Sequence, residues 1–479
     1  MRNLLHKYKN MSIQTKSAAW FILCSFLQKG ISFITVPLFT RLLSTKEYGT
    51  YTLYLSWLQV FTVLTSLYMY YGVLDNAMAK FEDDRDRYVS AMQGLTTVIW
   101  VIVFTLTLIL YPFFNKIIGL PLIFICLMFI EMFFTPAINY WMGKQRFEYS
   151  YKSVVVVTLL DSLCNPILGF IFIFILRDKS LSLILATVLT ESCLGFVLLL
   201  KQYKNGKCFF DKKYWIYSVT LALPMIGHYL SGIILNQGDR IMINQMVGKS
   251  AVAMYGVAYS IGMLVQILVT GINSSMTPWL YAQLKKKNFK DIQNISTVIM
   301  LLIAAVAIIL MMISPEAVLV FGSIKYQRAV YVVPPVAASV FFIFLYSLLS
   351  FPQFYFEKTK FLMLASIGAA VLNIILNFIF IKPFGFVAAG YTTLVCYILY
   401  ALGHYIVSKK VLRQKMDNKD IVLVNKKYTF IISIVLILFT FLVNFILPYI
   451  TIRYMIISIL LILIFMKRKL LISKIKELR

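Results

Sequence analysis

Two stretches of the sequence, residues 165–173 and residues 373–381, read NPILGFIFI and NIILNFIFI and agree at seven of nine positions. The offset between them is 208 residues, since Asn165 aligns with Asn373. Continuing at this offset without a gap, the aligned pairs include Leu194 with Leu402, Gly195 with Gly403 and Lys201 with Lys409. Matches of Ile, Leu and Phe mean little in apolar sequence, but matched Asn, Gly and Lys residues indicate an internal repeat.

Apolar segments surround both copies and run through the whole chain. Of its 479 residues 60% are hydrophobic and 14% are charged, with a mean hydropathy of +0.82. A soluble domain carries about 25% charged residues, so a water-soluble globule is excluded. About 20 apolar residues are enough for a helix to cross a bilayer. Fourteen such segments lie between charge clusters, near residues 17–40, 48–73, 90–112, 117–140, 152–176, 181–201, 217–246, 251–273, 295–320, 330–353, 361–381, 386–408, 428–447 and 449–466. The sequence therefore predicts an all-α, polytopic membrane protein with about 14 transmembrane helices.

The repeat predicts how these helices are organised. Its offset relates the first, fifth and sixth segments to the seventh, eleventh and twelfth, so the repeated unit has six helices. An even number of helices gives both copies the same orientation, as in transporters built from parallel repeats. We therefore expect an N-terminal lobe over residues 1–210 and a C-terminal lobe over residues 211–415, with a cleft between them. Residues 416–479 add two helices and a basic tail.

The excess of positive charge predicts the orientation. The chain has 46 Lys and Arg residues against 19 Asp and Glu residues, a net charge of +27. In a membrane protein Lys and Arg concentrate in cytoplasmic loops. Only a minority fall on the side opposite the N-terminus: Arg41, Lys46, Lys116, Arg177, Lys179, Lys249, Lys325, Arg328, Lys382 and Arg453. We therefore expect both termini in the cytoplasm, loops that contact membrane lipids, and no nucleic-acid partner.

Ionisable residues inside the apolar segments are the first candidates for function. Each costs about 2.5–3.5 kcal/mol at the bilayer centre, so it faces a partner or water. The candidates are Lys29, Glu131, Asp161, Glu191, Asp239 and Arg240. For each of them the alternative is an internal ion pair that only fixes helix packing. Asp239 and Arg240 are adjacent and project about 100° apart, so they cannot face the same neighbour.

Uncharged polar residues extend this set. Gln28 adjoins Lys29, and Asn373 and Asn377 share a helix face because they are four residues apart. Their alternative is hydrogen bonding between helices.

Motifs for catalysis or cofactor binding are absent from the sequence. The six cysteines and three histidines are scattered, without the spacing of metal ligands. There is no Walker A sequence, no Gly-rich nucleotide loop and no segment large enough for a cytosolic domain. We expect no metal site, no cofactor and no enzyme activity, so transport must draw on an ion or substrate gradient.

Three motifs resemble one family. Residues 37–51 (PLFTRLLSTKEYGTY) look like the helix 1–2 signature of polysaccharide repeat-unit flippases. These are the O-antigen and capsule translocases of the multidrug/oligosaccharidyl-lipid/polysaccharide (MOP) exporter superfamily. Asp239-Arg240 followed by Gly248 and residues 254–259 (MYGVAY) resembles the family's helix 7–8 pattern. Residues 372–377 (LNIILN), with the small residues Gly385, Ala388, Ala389 and Gly390 after them, resemble its helix 11–12 pattern. The likeness extends over about residues 17–408.

The resemblance implies a substrate and a coupling ion, and the intramembrane polar residues then suggest a hypothesis for which residues bind each of them. The substrate would be an undecaprenyl-diphosphate-linked oligosaccharide, moved from the cytoplasmic to the outer leaflet of the bacterial inner membrane and passed to glycan polymerase machinery. Alternating access of the lobes would be coupled to H⁺ or Na⁺. Lys29 and Arg240 would pair with the diphosphate, and Gln28, Asn373 and Asn377 would contact the substrate. Asp161, Glu131 and Asp239 would bind the coupling cation.

Other functions stay open at this point. Many O-antigen members have twelve helices, so fourteen helices also suit a capsule exporter or a peptidoglycan-precursor flippase. A cation-coupled exporter of drugs or metabolites from the same superfamily is another possibility. A membrane glycan polymerase or acyltransferase represents a different class, but it needs a reactive constellation or a sizeable outer loop, and the sequence has neither.

Overall fold

The computed structural model describes residues 11–358, 360–416 and 422–468. These three ranges contain helices and turns but no strand, which confirms the all-α prediction. The helices are α1 (Ile13–Leu42), α2 (Thr45–Ser66), α3 (Val73–Lys80), α4 (Arg85–Ile118), α5 (Leu122–Phe147), α6 (Tyr151–Ile175), α7 (Lys179–Gly206), α8 (Lys212–Met246), α9 (Lys249–Gly262), α10 (Leu264–Lys285), α11 (Phe289–Met312), α12 (Ser314–Gly322), α13 (Val333–Tyr355), α14 (Lys360–Phe384), α15 (Val387–Met416), α16 (Lys426–Ile446) and α17 (Ile450–Met466). Two 3₁₀ helices, Glu82–Asp84 and Ile324–Tyr331, lie between them.

Several helices begin where the sequence supplies an N-cap. The Ser44 hydroxyl accepts from the Glu47 amide, and the Glu47 carboxylate accepts from the Ser44 amide, which completes a capping box at α2. Asp178 accepts from two amides at the start of α7, and Asn425 accepts from the Tyr428 amide at α16. Such caps satisfy backbone donors that have no partner inside the helix. Helix boundaries of this kind are therefore encoded locally.

A helix occupies every predicted apolar segment. Among the described residues, twelve helical segments are long and apolar enough to cross a membrane, with α9 and α10 counted as one. The other two predicted segments correspond to α2, which has 22 residues, and α17, which has 17. The chain is a multi-pass membrane protein.

Three segments are less continuous than the sequence predicts. The run near 48–73 ends as a helix at Ser66, and its last residues form a turn before α3. The run near 251–273 is interrupted at Met263, next to Gly262, where an added Cβ would lie 2.6 Å from Val336. The run near 295–320 divides into α11 and α12 where Pro315 starts the new helix, because proline cannot continue the helical hydrogen bonding.

The described chain forms two compact units. Unit 1 ends at Ile233 and unit 2 begins at Ile234, so the boundary lies inside α8. In unit 1, α5 and α6 pack against α7; in unit 2, α13 packs against α15 and α11. Helix α13 is the core of unit 2, because most of its side chains are buried. The division into residues 1–210, 211–415 and 416–479 stays a prediction, since it follows the repeat and not these contacts.

The repeat has a structural counterpart in the two units. In unit 1 the Asn165 amide on α6 donates to the Thr187 hydroxyl on α7 over 3.4 Å. In unit 2 the Asn373 amide on α14 donates to the Thr393 hydroxyl on α15, also over 3.4 Å. The aligned asparagines thus each bond a threonine of the next helix, although Thr187 and Thr393 are not themselves aligned at the 208-residue offset.

Candidate functional site

A buried polar cluster in unit 2 contains two of the motifs singled out in the sequence. We call it the Asp239 cluster and define it by Asp239 on α8, Tyr255 on α9, Asn373 and Asn377 on α14, and Thr392 and Thr393 on α15. All six side chains are buried, and those of Asp239, Asn373 and Asn377 have no exposed surface. Four helices therefore meet around one carboxylate inside an apolar unit.

Local sequence explains why α14 and α15 bring their polar residues together. Asn373 and Asn377 lie one turn apart on the same face of α14. Gly385, with φ of 72°, occupies the left-handed region that ends the helix, so α15 starts only three residues after α14. The two helices pack against each other as a short-loop hairpin, which sets the threonines of α15 against the asparagines of α14.

The Asp239 carboxylate accepts hydrogen bonds from three neutral donors. Its Oδ1 accepts from Asn377 Nδ2 at 2.6 Å, and its Oδ2 accepts from Thr393 Oγ1 at 2.7 Å and from the Tyr255 hydroxyl. Asn377 is held in turn, because its amide also donates to Asn373 Oδ1 at 3.1 Å and its carbonyl accepts from the Thr392 hydroxyl. The three hydrogen bonds to the Asp239 carboxylate offset the cost of burying it.

Arg240 does not neutralise Asp239 by a salt bridge. Its Nη1 donates to the Asn236 carbonyl at 2.7 Å and to Gln237 Oε1 at 2.8 Å, and its guanidinium lies 4.6 Å from the Tyr259 ring centroid. No ion pair to Asp239 occurs within the described ranges. The buried Nε atom of Arg240 has no hydrogen-bond partner. Both charges nevertheless face α9, because Tyr255 donates to Asp239 and the Arg240 guanidinium lies 5.8 Å from the Tyr255 ring centroid. The prediction that they cannot face the same neighbour is therefore wrong.

The oxygen atoms of the Asp239 cluster suit a hard monovalent cation or a proton. Carboxylate, amide and hydroxyl oxygens are the donors that hard cations take. The described residues contain no group of three or more His, Cys, Asp or Glu side chains arranged to hold a metal ion. The cluster therefore offers a single negative charge, which matches one H⁺ or Na⁺ better than a divalent ion.

A second cluster in unit 1 is acidic. Glu131 on α5 is buried and accepts from the Tyr54 hydroxyl on α2 at 2.6 Å. Glu191 on α7 accepts from Thr135 Oγ1 at 3.4 Å. Asp161 on α6 is half-buried and interacts electrostatically with both glutamates. Unit 1 thus gathers three carboxylates, and no Lys or Arg pairs with them in the part of the chain that the structure describes.

The remaining predicted residues lie on α1. The Lys29 side chain is exposed, and the Gln28 side chain is partly buried. Neither belongs to one of the two clusters. The structure therefore brings Asp239, Asn373 and Asn377 together, brings Glu131 and Asp161 together, and leaves Lys29 open to its surroundings.

Sequence reasoning missed four residues that bond these carboxylates, Tyr54, Thr135, Tyr255 and Thr393. It also missed Thr392, which bonds Asn377. Tyr255 lies in the MYGVAY stretch, and Thr392 and Thr393 follow Gly390 in the third quoted motif. Polar residues beside a motif asparagine or aspartate were therefore the available signal. Tyr54 had no such signal, since nothing in its neighbourhood marks the side that faces α5.

Comparison with known families gives two matches. The profile of the polysaccharide biosynthesis protein family matches residues 14–285, and the MatE profile matches residues 224–379. The first match covers more than half of the chain and includes all of the acidic cluster as well as Asp239 and Tyr255. The second includes most of the Asp239 cluster.

Individual proteins with a similar sequence or fold agree with these matches. An uncharacterized membrane protein of Haemophilus influenzae is 23% identical over 368 residues, which is 72% of this chain and 85% of the relative. Lipid II flippase MurJ, in an inward closed conformation, has a TM-score of 0.64 at 15% identity and covers 94% of this chain and 99% of its own. An inward-facing multidrug resistance MATE family transporter of the MOP superfamily has a TM-score of 0.63 at 14% identity, over 81% of this chain and 96% of its own. At such identities the two structures show a shared fold.

Proposed function

Because the chain belongs to the polysaccharide biosynthesis protein family of the MOP superfamily, we propose that it flips a lipid-linked oligosaccharide across the bacterial inner membrane. The observation that carries this proposal is the family match over residues 14–285. The substrate we propose is an undecaprenyl-diphosphate-linked repeat unit of an O-antigen, a capsule or another exported polysaccharide. It enters from the cytoplasmic leaflet, and glycan polymerase machinery receives it at the outer leaflet. In this proposal both termini lie on the cytoplasmic side of the membrane.

Two basic residues are proposed to recognise the diphosphate. A dianionic head group cannot cross hydrocarbon unless cations compensate its charge, since desolvating a charge costs many kcal/mol. Lys29 is exposed on a membrane-spanning helix, and Arg240 keeps one buried donor atom without a partner. In this scheme Gln28 supplies a further hydrogen bond next to Lys29. The polyprenyl chain stays in lipid and needs no protein cavity.

The Asp239 cluster is proposed to bind the coupling cation. We assign Asn373 and Asn377 to this site in place of the glycan contact predicted from the sequence, because both are fully buried and bonded around Asp239. Rotation of the Asn377 amide would turn its oxygen towards a cation and withdraw the donor that now bonds Asp239 Oδ1. Cation binding would thus exchange bonds between α8 and α14, which links occupancy to the packing of these two helices.

The acidic cluster of unit 1 is proposed as a proton-exchange site. Three carboxylates close together cannot all ionise at low cost in an apolar unit. Glu131, Asp161 and Glu191 would therefore share protons, and the loss of a proton would favour a rearrangement that separates them.

Deletion of the gene and complementation with the full chain test the proposed function. We expect the deletion strain to lose its surface polysaccharide and to accumulate lipid-linked repeat units at the cytoplasmic leaflet. Complementation should restore the polysaccharide, and a Lys29→Ala variant that reaches the membrane should not. Normal surface polysaccharide in the deletion strain would refute the proposal, provided that no second flippase gene is present.

Export of drugs or metabolites is the second candidate, and the MatE match over residues 224–379 favours it. It predicts that the deletion raises susceptibility to cationic drugs while the surface polysaccharide is unchanged. A peptidoglycan-precursor flippase, with which the chain shares its fold, predicts instead a defect in cell-wall synthesis.

A further inference from the structure

The turn after α2 holds two residues in an unfavourable backbone conformation. Leu67 and Tyr68 have φ angles of 48° and 51°, in the left-handed region that non-glycine residues rarely adopt. The Ser66 hydroxyl accepts from the Tyr68 amide at 3.2 Å, and the Ser66 carbonyl accepts from the Met69 amide at 3.1 Å. Strain of this kind persists only where the surrounding structure enforces it, and it concentrates at functional sites.

The strained turn exposes Tyr71 and leaves Tyr68 partly buried against the core of unit 1. Met69 and Tyr70 are buried in a hydrophobic core of unit 1, and they anchor the turn. Tyr71 beside them is 49% exposed, and Tyr68 is partly exposed. Gly72 follows with φ of 67°, and the space where its Cβ would be lies 3.7 Å from the Tyr229 hydroxyl on α8. The turn therefore presents the Tyr71 ring at the surface, while Met69 and Tyr70 remain fixed in the core.

Three tyrosine rings pack against one another here, and we call Tyr68, Tyr71 and Tyr229 the tyrosine platform. The ring centroids of Tyr68 and Tyr71 are 4.9 Å apart, and those of Tyr68 and Tyr229 are 5.3 Å apart. The buried Tyr70 packs against the platform, with its ring centroid 4.9 Å from that of Tyr71 and 5.8 Å from that of the buried Tyr140. Rings held in this way lose little conformational entropy when a ligand stacks on them.

Polar groups border the platform. Asp75 and Asn76, in the first turn of α3, are both exposed, and Asp75 interacts electrostatically with Tyr229. The Tyr68 hydroxyl is neutral at physiological pH and can donate a hydrogen bond. Carboxylate, amide and phenol groups at the edge of an aromatic surface can bind a sugar. The C–H face of the sugar stacks on the rings, and its hydroxyls form hydrogen bonds with these polar groups.

We propose that the tyrosine platform and Asp75 form a carbohydrate-binding subsite that receives a sugar ring of the substrate before it crosses the membrane. This inference rests on the proposed flippase function. The turn lies between α2 and the charged segment 80–87, at the end of unit 1 where the predicted cytoplasmic loops are. In the proposed function the substrate enters from the cytoplasmic leaflet, so the platform would be its first contact with the protein.

Saturation-transfer NMR on the purified full chain tests the subsite. The probe is the free repeat-unit oligosaccharide cleaved from the host's own surface polysaccharide, and the aromatic protons of the protein are irradiated. We expect transfer to the sugar C–H protons with the wild type and about tenfold weaker binding with Tyr71→Ala, which removes one stacking ring. Tyr71→Phe should bind like the wild type. Tyr428→Ala is the matched control, since Tyr428 is 53% exposed on α16 and stands outside the platform.

The outcomes separate the subsite from the flippase. Wild-type affinity in Tyr71→Ala, equal losses in Tyr71→Ala and Tyr428→Ala, or no transfer with the wild type would each overturn the subsite. If Tyr71→Ala does not fold, Asp75→Asn provides the test, because it removes a rim carboxylate from an exposed position; unchanged binding in that variant would count against the subsite. Transport by wild type and Tyr71→Ala alike would overturn only the subsite, whereas a wild-type chain that restores no surface polysaccharide would overturn the flippase.

Discussion

Replacing Asp239 by Asn removes the only negative charge of the Asp239 cluster and keeps the side-chain shape. The carboxylate accepts from Asn377, Thr393 and Tyr255. An Asn at this position keeps one oxygen that accepts hydrogen bonds. Its NH₂ group replaces the other oxygen and faces some of the groups that donate to Asp239. The threonine and tyrosine hydroxyls can rotate to accept from that group, so we expect the variant to fold and to reach the membrane.

The expected loss concerns cation binding. A hydrogen bond to a charged group contributes about 1.5–3 kcal/mol, and a contact between a cation and a carboxylate is at least as strong. Losing one such contact weakens binding by about 10- to 100-fold, because each 1.4 kcal/mol corresponds to a factor of ten. The same substitution costs folding stability no more than about 1–3 kcal/mol, the penalty for one unsatisfied buried group.

The assay measures binding of radioactive Na⁺ to the purified full chain, together with proton release on addition of Na⁺. The wild type should bind Na⁺, release protons when Na⁺ is added, or do both. Whichever signal the wild type gives should be at least tenfold weaker in Asp239→Asn. Glu82→Gln makes the same change of chemistry at a 76% exposed side chain, and it should behave like the wild type. Unchanged ion binding and full surface polysaccharide in Asp239→Asn would refute the assignment of the coupling site.

Three further predictions concern the rest of the molecule. Glu131→Gln should leave Na⁺ binding unchanged but flatten the pH dependence of transport, measured as surface polysaccharide between pH 6 and pH 8; a wild-type profile would contradict the proton-exchange role. Burial of Glu316 would raise its pKa, but the hydrogen bonds from Arg453 at 2.7 and 2.8 Å outweigh this and hold the pKa below its ordinary value. The pair therefore stabilises the fold above about pH 4.5, and this effect is lost as pH falls through the lowered pKa. At pH 7 Glu316→Gln should unfold at a lower temperature than the wild type, with a loss of at most about 1 kcal/mol in the free energy of unfolding because Glu316 is 37% exposed. The difference should shrink on acidification, and a constant difference would count against the pair. Gly94→Ala would place a Cβ 1.8 Å from the Phe209 carbonyl oxygen, so thermal unfolding should show a loss of about 3 kcal/mol, and a neutral result would mean that this contact can open.

The fold was largely predictable because bilayer thickness and hydrophobicity act on long stretches of sequence. Each predicted apolar segment contains a helix, since a segment of about 20 apolar residues can satisfy its backbone in lipid only as a helix. The interruption at Met263 was not predictable, because residues 251–273 contain neither a proline nor a charged residue that would mark it. The turn at Leu67 was missed because tertiary contacts of Met69 and Tyr70 enforce it.

The candidate site was predictable only in part. Asp239 and the asparagine pair were visible as polar residues in apolar helices, where every such group needs a partner. Their mutual bonding was not visible, because α8 and α14 are separated by more than 100 residues and no local rule sets their rotation. The polar residues could therefore be found in the sequence, but the hydrogen bond from Asn377 to Asp239 depends on how four helices pack together.

Reconstitution tests the central claim most directly. The purified full chain is placed in vesicles with the host's lipid-linked repeat unit, and exposure of the glycan on the far leaflet is followed by its oxidation with an impermeant reagent. We predict that exposure requires the protein, that an imposed Na⁺ or H⁺ gradient accelerates it, and that Asp239→Asn abolishes this acceleration. Exposure that is no faster than in protein-free vesicles would contradict the claim that this protein is a flippase for lipid-linked oligosaccharides.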